Sequence, residues 1–143
     1  MPEVLAVCIS KNKGEKKIEI NEGFFIKGHG LENDAHAGSK RQISLLAIES
    51  INKLKKEIPG LKPGDFGENI TTKGIELVNL EIGTKLKIGE ITVEITQIGK
   101  KCHDRCEIYK QVGKCVMPSE GIFADVLSSG HVKTKDKISI IEE

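Results

Sequence analysis

The sequence is poor in aromatic residues. It has no Trp, one Tyr and four Phe in 143 residues, too few for the stacking platforms that hold single-stranded nucleic acids. Net charge is missing as well: 22 basic residues against 21 acidic ones leave +1. That gives no long-range electrostatic footprint for nucleic acid. Long apolar runs are absent. The first one, residues 4–9, is too short for the core of a signal peptide, and no basic region precedes it. Nothing approaches the ~20 apolar residues of a membrane span. The expected location is therefore the cytoplasm, with neither membrane nor nucleic acid among the partners.

What is present suits a globular protein. The hydrophobic fraction is 38%, and 15 Gly are scattered along the chain. A chain of this length buries about two thirds of its unfolded surface. No repeat, linker or low-complexity stretch divides it, so one domain over residues 1–143 is expected.

Residues 4–10 are β-branched and apolar and predict a buried strand. Residues 17–20 alternate and residues 23–26 continue apolar, which adds a strand or two. Residues 28–38 form a Gly-rich loop, and residues 41–46 predict a short strand. Ile48, Ile51, Leu54 and Ile58 form the apolar stripe of a helix, with Lys53, Lys55, Lys56 and Glu57 opposite. Pro59-Gly60 ends it. Residues 85–88 and 91–96 alternate around Gly89-Glu90 and predict a hairpin. Residues 102–110 suit a short helix. Residues 119–127, with Ile122, Phe123, Val126 and Leu127 on one side, predict another, and residues 136–141 a final strand. Strands, one helix, then more strands, with no regular βαβ alternation, point to a mainly β (α+β) fold: a mixed, largely antiparallel β barrel with a few short accessory helices.

The four cysteines are Cys8, Cys102, Cys106 and Cys115. Cys8 stands in an apolar run and is read as a small buried hydrophobe. The other three lie within fourteen residues, next to His103 and among Lys100, Lys101, Arg105 and Lys114. In a reducing compartment clustered cysteines suggest metal binding or thiol chemistry rather than disulfides. Positive neighbours favour the thiolate, the form that attacks and ligates. The spacings C-x3-C and C-x8-C are not the usual paired zinc motif. Zinc held by Cys102, His103, Cys106 and Cys115, a reactive thiol, and three inert buried cysteines all stay open.

Two further segments carry polar chemistry. Asn33-Asp34-Ala35-His36-Ala37-Gly38, with Arg41 beyond it, suits an anion: glycine lets the backbone approach closely and Arg grips phosphate with two donors. The plain alternative is an Asx-type turn with a solvent-facing His. Gly64-Asp65-Phe66-Gly67-Glu68-Asn69-Ile70 reads as a turn entering a strand, with Asn69 bonding backbone groups.

In this order these segments resemble the MOSC family, named for the C-terminal part of molybdenum cofactor sulfurases. Asp34-Ala35-His36-Ala37-Gly38 followed by Arg41-Gln42-Ile43-Ser44-Leu45 is similar to its early signature. Phe66-Gly67-Glu68-Asn69-Ile70 is similar to its central one, and Gly83-Thr84-Lys85-Leu86-Lys87-Ile88-Gly89 to its hairpin. Cys102-His103-Asp104-Arg105-Cys106, Cys115-Val116-Met117-Pro118 and Glu120-Gly121-Ile122-Phe123-Ala124 resemble the late signature of short bacterial stand-alone members. The likeness spans residues 4–141. Two positions depart from it: Asn33 stands where the family often has Gly, and Lys135-Asp136 where it favours Gly-Asp. Asn is one of the few residues that tolerate a left-handed backbone.

The resemblance implies a compact β barrel serving the molybdenum cofactor, a phosphate-bearing dithiolene pterin (molybdopterin). It implies that Cys115 ligates molybdenum or carries sulfur, with Cys102 and Cys106 as secondary candidates for metal. His103 would be a proton donor beside the thiols. Asp34, His36, Arg41 and Asn69 would hold the cofactor. Reduction of N-hydroxylated compounds would then need an external electron-donor protein. A second implied role is a persulfide carrier, loaded by a cysteine desulfurase partner that holds the pyridoxal phosphate itself. A third, non-enzymatic reading is a zinc-stabilised module that docks on cofactor biosynthesis proteins.

Overall fold

A computed structural model of the chain describes residues 2–12, 16–99 and 121–141. Among them the strands are β1 (Glu3–Ile9), β2 (Ile18–Ile20), β3 (Glu22–Ile26), β4 (Gly30–Leu31), β5 (Ile43–Ala47), β6 (Ile70–Lys73), β7 (Lys85–Ile88), β8 (Ile91–Ile98), β9 (Ile122–Val126), β10 (Gly130–Lys133) and β11 (Ile138–Ile141). One α-helix, α1 (Ile48–Lys55), and one 3-10 turn, Leu77–Asn79, accompany them.

Eight strands form one sheet in the order β11-β7-β8-β9-β5-β6-β1-β2, and β10-β3-β4 form a second. Every described pairing is antiparallel except β5 with β6. The large sheet curls back on itself. Val4 N–H donates to Asp136 O at 2.8 Å, and Lys135 N–H donates to Val4 O at 2.7 Å. The start of β1 therefore meets the approach to β11, with Glu3 bridging Lys137. The interior of the curl is packed with aliphatic side chains, among them Val4, Ile43, Leu45, Ile70, Val93 and Ala124, all fully buried, and Phe25 closes it from β3.

A smaller cluster sits on the other face of β5. Leu46, Ile51, Leu61, Phe66 and Phe123 are buried there, and Ile48, Leu54 and Ile58 pack against them. These are the stripe residues that predicted the helix. The α-helix itself stops at Lys55, and the stripe continues through a turn in which Ile58 N–H donates to Leu54 O at 2.8 Å. The hairpin is as expected: Ile88 pairs with Ile91 across Gly89-Glu90.

The helix expected over residues 119–127 is corrected. Residues 122–126 are strand β9, which pairs with β5 on one side and β8 on the other. Ile122, Phe123, Val126 and Leu127 match a helical stripe, but β9 is buried on both faces, where a continuous apolar run serves equally well. Tertiary pairing decides between them. The helix expected over residues 102–110 lies outside the described residues.

Among the described residues the only non-glycine positions with a left-handed backbone are Asn33 (φ 70) and Lys135 (φ 78). They are the two positions where the resemblance expects glycine. Lysine is poorly suited to this conformation, at a cost of about 1–2 kcal/mol. Lys135→Gly relieves that strain but loosens the unfolded chain. A net gain of about 0.5–1 kcal/mol is expected, seen as a melting temperature higher by roughly 1–4 °C. Asn33→Gly, starting from a tolerant residue, is expected to change little. A fall in stability for Lys135→Gly would contradict this account of the tail turn.

Candidate functional site

The loop between β4 and β5 carries Asp34, His36 and Arg41. Asp34 is buried and organises its surroundings. Its Oδ1 accepts the Ser10 N–H at 3.0 Å and Lys17 Nζ at 2.8 Å. Its Oδ2 accepts the His36 backbone N–H at 3.1 Å, an Asx-type turn. Ala35 N–H donates to Ser10 O at 2.9 Å, so the loop is stitched to the end of β1.

The sequence did not single out Lys17. It precedes β2, both side chains of the Lys17–Asp34 pair are 0% exposed, and its Nζ also donates to Ser10 Oγ at 3.0 Å. Lys17 Nζ and His36 Nδ1 are 3.3 Å apart. The His36 side chain is 28% exposed and its Nδ1 lies 3.8 Å from Asp34 Oδ2. Burial, the strongest single influence, works to raise the Asp34 pKa. Lys17, by its hydrogen bond and its charge, and the Ser10 N–H outweigh it and hold the carboxyl well below the usual range.

Gly64 keeps Lys17 in place. Lys17 N–H donates to Gly64 O at 2.7 Å. Gly64 has φ +91, and a Cβ there would lie 2.3 Å from Lys17 O. Only glycine allows this approach.

Arg41 is half-buried, with its guanidinium carbon 5.1 Å from the centroid of the Phe123 ring. Its Nε donates to Gln97 Oε1 at 3.4 Å, and Gln97 Nε2 in turn donates to Gly99 O at 2.7 Å. The terminal Nη groups have no hydrogen-bond partner among the described residues. Gly99 N–H donates to Gly121 O at 2.6 Å, so the two ends that flank residues 100–120 are joined beside Gln97 and Phe123. Cys102, His103, Cys106 and Cys115 lie outside the described residues.

Asn69 is placed differently. It is fully buried at the entry to β6. Its Oδ1 accepts Ser44 N–H at 3.0 Å and its Nδ2 donates to Cys8 O at 3.2 Å. Both polar ends of the side chain are engaged between strands, as the plain reading of this segment expects. Next to it Glu68 is 0% exposed. Its Oε2 accepts Gly64 N–H at 3.1 Å and Thr71 Oγ1–H at 2.7 Å, while Oε1 has no partner among the described residues. Burial pushes the Glu68 carboxyl up. Cys8 is fully buried, and burial together with the nearby Glu68 drives its thiol up as well. Such a thiol is unreactive, in keeping with its reading as a small hydrophobe.

Of the four described residues expected at a cofactor site, His36 and Arg41 have polar atoms left over for a ligand. Asp34 and Asn69 spend theirs on the frame. Lys17 is one of 22 basic residues, and its alternation with Ile18-Glu19-Ile20 reads as part of a strand. No helix among the described residues is long and apolar enough to cross a membrane.

The solved structures agree on the fold. The chain is similar to the YuaD protein of Bacillus subtilis, with 20% identity and a TM-score of 0.79 over 96% of this chain and 94% of that one. It is similar to YiiM from Geobacillus stearothermophilus, with 17% identity and a TM-score of 0.75 over 99% of this chain and 76% of that one. For YiiM from Escherichia coli the values are 18% and 0.70, over 100% and 71%. No curated protein matches the sequence significantly. A family model of the MOSC domain matches residues 32–139, a span that takes in Asp34, His36, Arg41, Asn69 and all three clustered cysteines. The chain belongs to the MOSC domain family.

Proposed function

We propose that this protein binds the molybdenum cofactor, gripping its anionic part with the loop of His36 and Arg41 and ligating its metal through Cys115. The carrying observation is the donor set of that loop. A guanidinium leans on Phe123 with its Nη groups unused, and an imidazole is backed by a buried ion pair, both on the frame of a family associated with this cofactor. Such donors suit a phosphate-bearing pterin, since Arg meets phosphate with parallel hydrogen bonds. A soft thiolate suits the metal. When bound, the cofactor supplies oxygen-atom and electron chemistry.

The chain's own residues bind, orient and exchange protons. Arg41 neutralises anionic charge. Cys115 supplies the thiolate, with Cys102 and Cys106 as secondary ligands, and His103 is the proton donor beside them. Asp34 and Asn69 act at one remove, by holding the backbone on which the loop and β6 rest. Reduction of N-hydroxylated compounds is the activity that follows, with electrons from a separate donor protein.

The test is metal content by mass spectrometry on protein purified without oxygen from a cofactor-replete host. Near-stoichiometric molybdenum is expected, lost in Cys115→Ser and kept in Cys8→Ser. One zinc per chain without molybdenum would replace this reading by the zinc-stabilised module. No metal, together with a gain of the mass of one sulfur after incubation with a cysteine desulfurase, would replace it by the persulfide carrier.

A further inference from the structure

The ring of His36 has one nitrogen turned inward and one left over. Nδ1 lies 3.3 Å from Lys17 Nζ. An ammonium has three hydrogens and no acceptor. Lys17 spends them on Asp34 Oδ1 at 2.8 Å, Ser10 Oγ at 3.0 Å and this contact. At that contact Nδ1 therefore accepts. The competing arrangement, a hydrogen on Nδ1 donated to Asp34 Oδ2, has 3.8 Å to span, beyond hydrogen-bonding distance. A neutral imidazole whose Nδ1 accepts carries its hydrogen on Nε2. Nε2 has no hydrogen-bond partner among the described residues, and the side chain is 28% exposed.

Building on the reading of this loop as an anion grip, we propose that Lys17 is a positioning residue that locks His36 as the Nε2–H tautomer. The loop then presents a fixed N–H donor to an anionic oxygen of the ligand. A protonated Nε2 has no lone pair for a metal, so His36 meets a phosphate-type oxygen and metal ligation falls to other residues. Selectivity follows from this: an oxyanion accepts the Nε2–H of His36, whereas a cation at the same place meets only a donor.

The test uses the full chain labelled with 15N-histidine at about pH 8, above the ordinary imidazole range. The signals of His36 are identified by their loss in His36→Gln. Long-range 1H–15N correlation is expected to show an unprotonated Nδ1 and a protonated Nε2. Lys17→Arg, which keeps a donor-only group, is expected to preserve that pattern. In Lys17→Met the nearest polar neighbour of Nδ1 is an acceptor-only carboxylate, and the hydrogen is expected to move to Nδ1. Inorganic phosphate is expected to shift the Nε2 signal saturably in the wild type.

A wild-type Nδ1–H tautomer, or an even mixture, would overturn the proposal even if Lys17→Met failed to fold. A wild-type Nε2–H signal that ignores phosphate would overturn its ligand half. The tautomer and phosphate response persisting in a protein that never retains molybdenum would overturn the proposed cofactor and leave this inference standing.

Discussion

Lys17→Met is expected to lower stability by about 3–5 kcal/mol, the cost of leaving one member of a buried ion pair uncompensated. Both side chains of the Lys17–Asp34 pair are 0% exposed, with 2.8 Å between Nζ and Oδ1. Asp34 then keeps a carboxylate in a dry site with only the Ser10 and His36 N–H groups to hold it. The double variant Lys17→Met with Asp34→Asn is expected to recover about half of the loss, because an amide oxygen still accepts from backbone without charge. A surface pair would cost about 1 kcal/mol or less, so a urea midpoint corresponding to such a loss would remove Lys17 from the frame.

Acid titration gives the same pair a second readout. The folded Asp34 pKa lies below its ordinary value of 3.8, so the unfolded chain takes up the proton first. The stabilisation is fully present above that ordinary value and is lost as pH falls below it. Lys17→Met flattens this arm, since little depression remains to lose. Glu68 works in the opposite sense. Its folded pKa lies above the ordinary 4.5, so its contribution is present below that value and is lost as pH rises through the folded one. Glu68→Gln keeps an acceptor for Gly64 N–H and Thr71 Oγ1–H and removes that upper arm. The two variants thus flatten opposite sides of one stability profile. If both flatten the same side, the protonation states assigned to Asp34 and Glu68 are wrong.

The sequence made the frame readable where local rules and tertiary structure agree. The stripe of Ile48, Ile51, Leu54 and Ile58 falls on the packed face of α1 and its turn, and the alternation around Gly89-Glu90 gives the hairpin its register. Asn33 and Lys135 are unusual because both take a glycine's backbone without being glycine. A comparison with the family's pattern finds them, while intrinsic preference would flag only Asn33. The apolar residues of strand β9 suit either period, and only pairing with β5 and β8 chooses between them. Lys17 was invisible for another reason. Its role depends on Asp34, seventeen residues away, and on a burial that no local pattern around a lysine announces. Asp34, His36 and Arg41 were found as residue types. Their division into frame and free donors depends on partners such as Ser10, Gln97 and Phe123, which are distant in sequence.

Asn69 tests that division. Asn69→Ala is expected to cost about 2–4 kcal/mol, because it removes the acceptor for Ser44 N–H and the donor to Cys8 O in a fully buried place. The location magnifies the loss. Asn69 N–H also donates to Ser44 O at 2.9 Å, and Cys8 N–H donates to Asn69 O at 2.7 Å. One residue therefore joins β1 to β5 at the point where β6 begins between them. Asn69→Asp keeps one acceptor but turns a second carboxyl oxygen toward Cys8 O, so it is expected to cost at least as much, and more as pH rises above the carboxylate range. Both losses would appear in urea midpoints. The response of His36 to phosphate in the folded fraction is expected to keep its midpoint, since the side chain of Asn69 has no polar atom to spare for a ligand. The reverse result, stability within about 0.5 kcal/mol of wild type with the phosphate response lost, would move Asn69 from the frame into the ligand's own contacts.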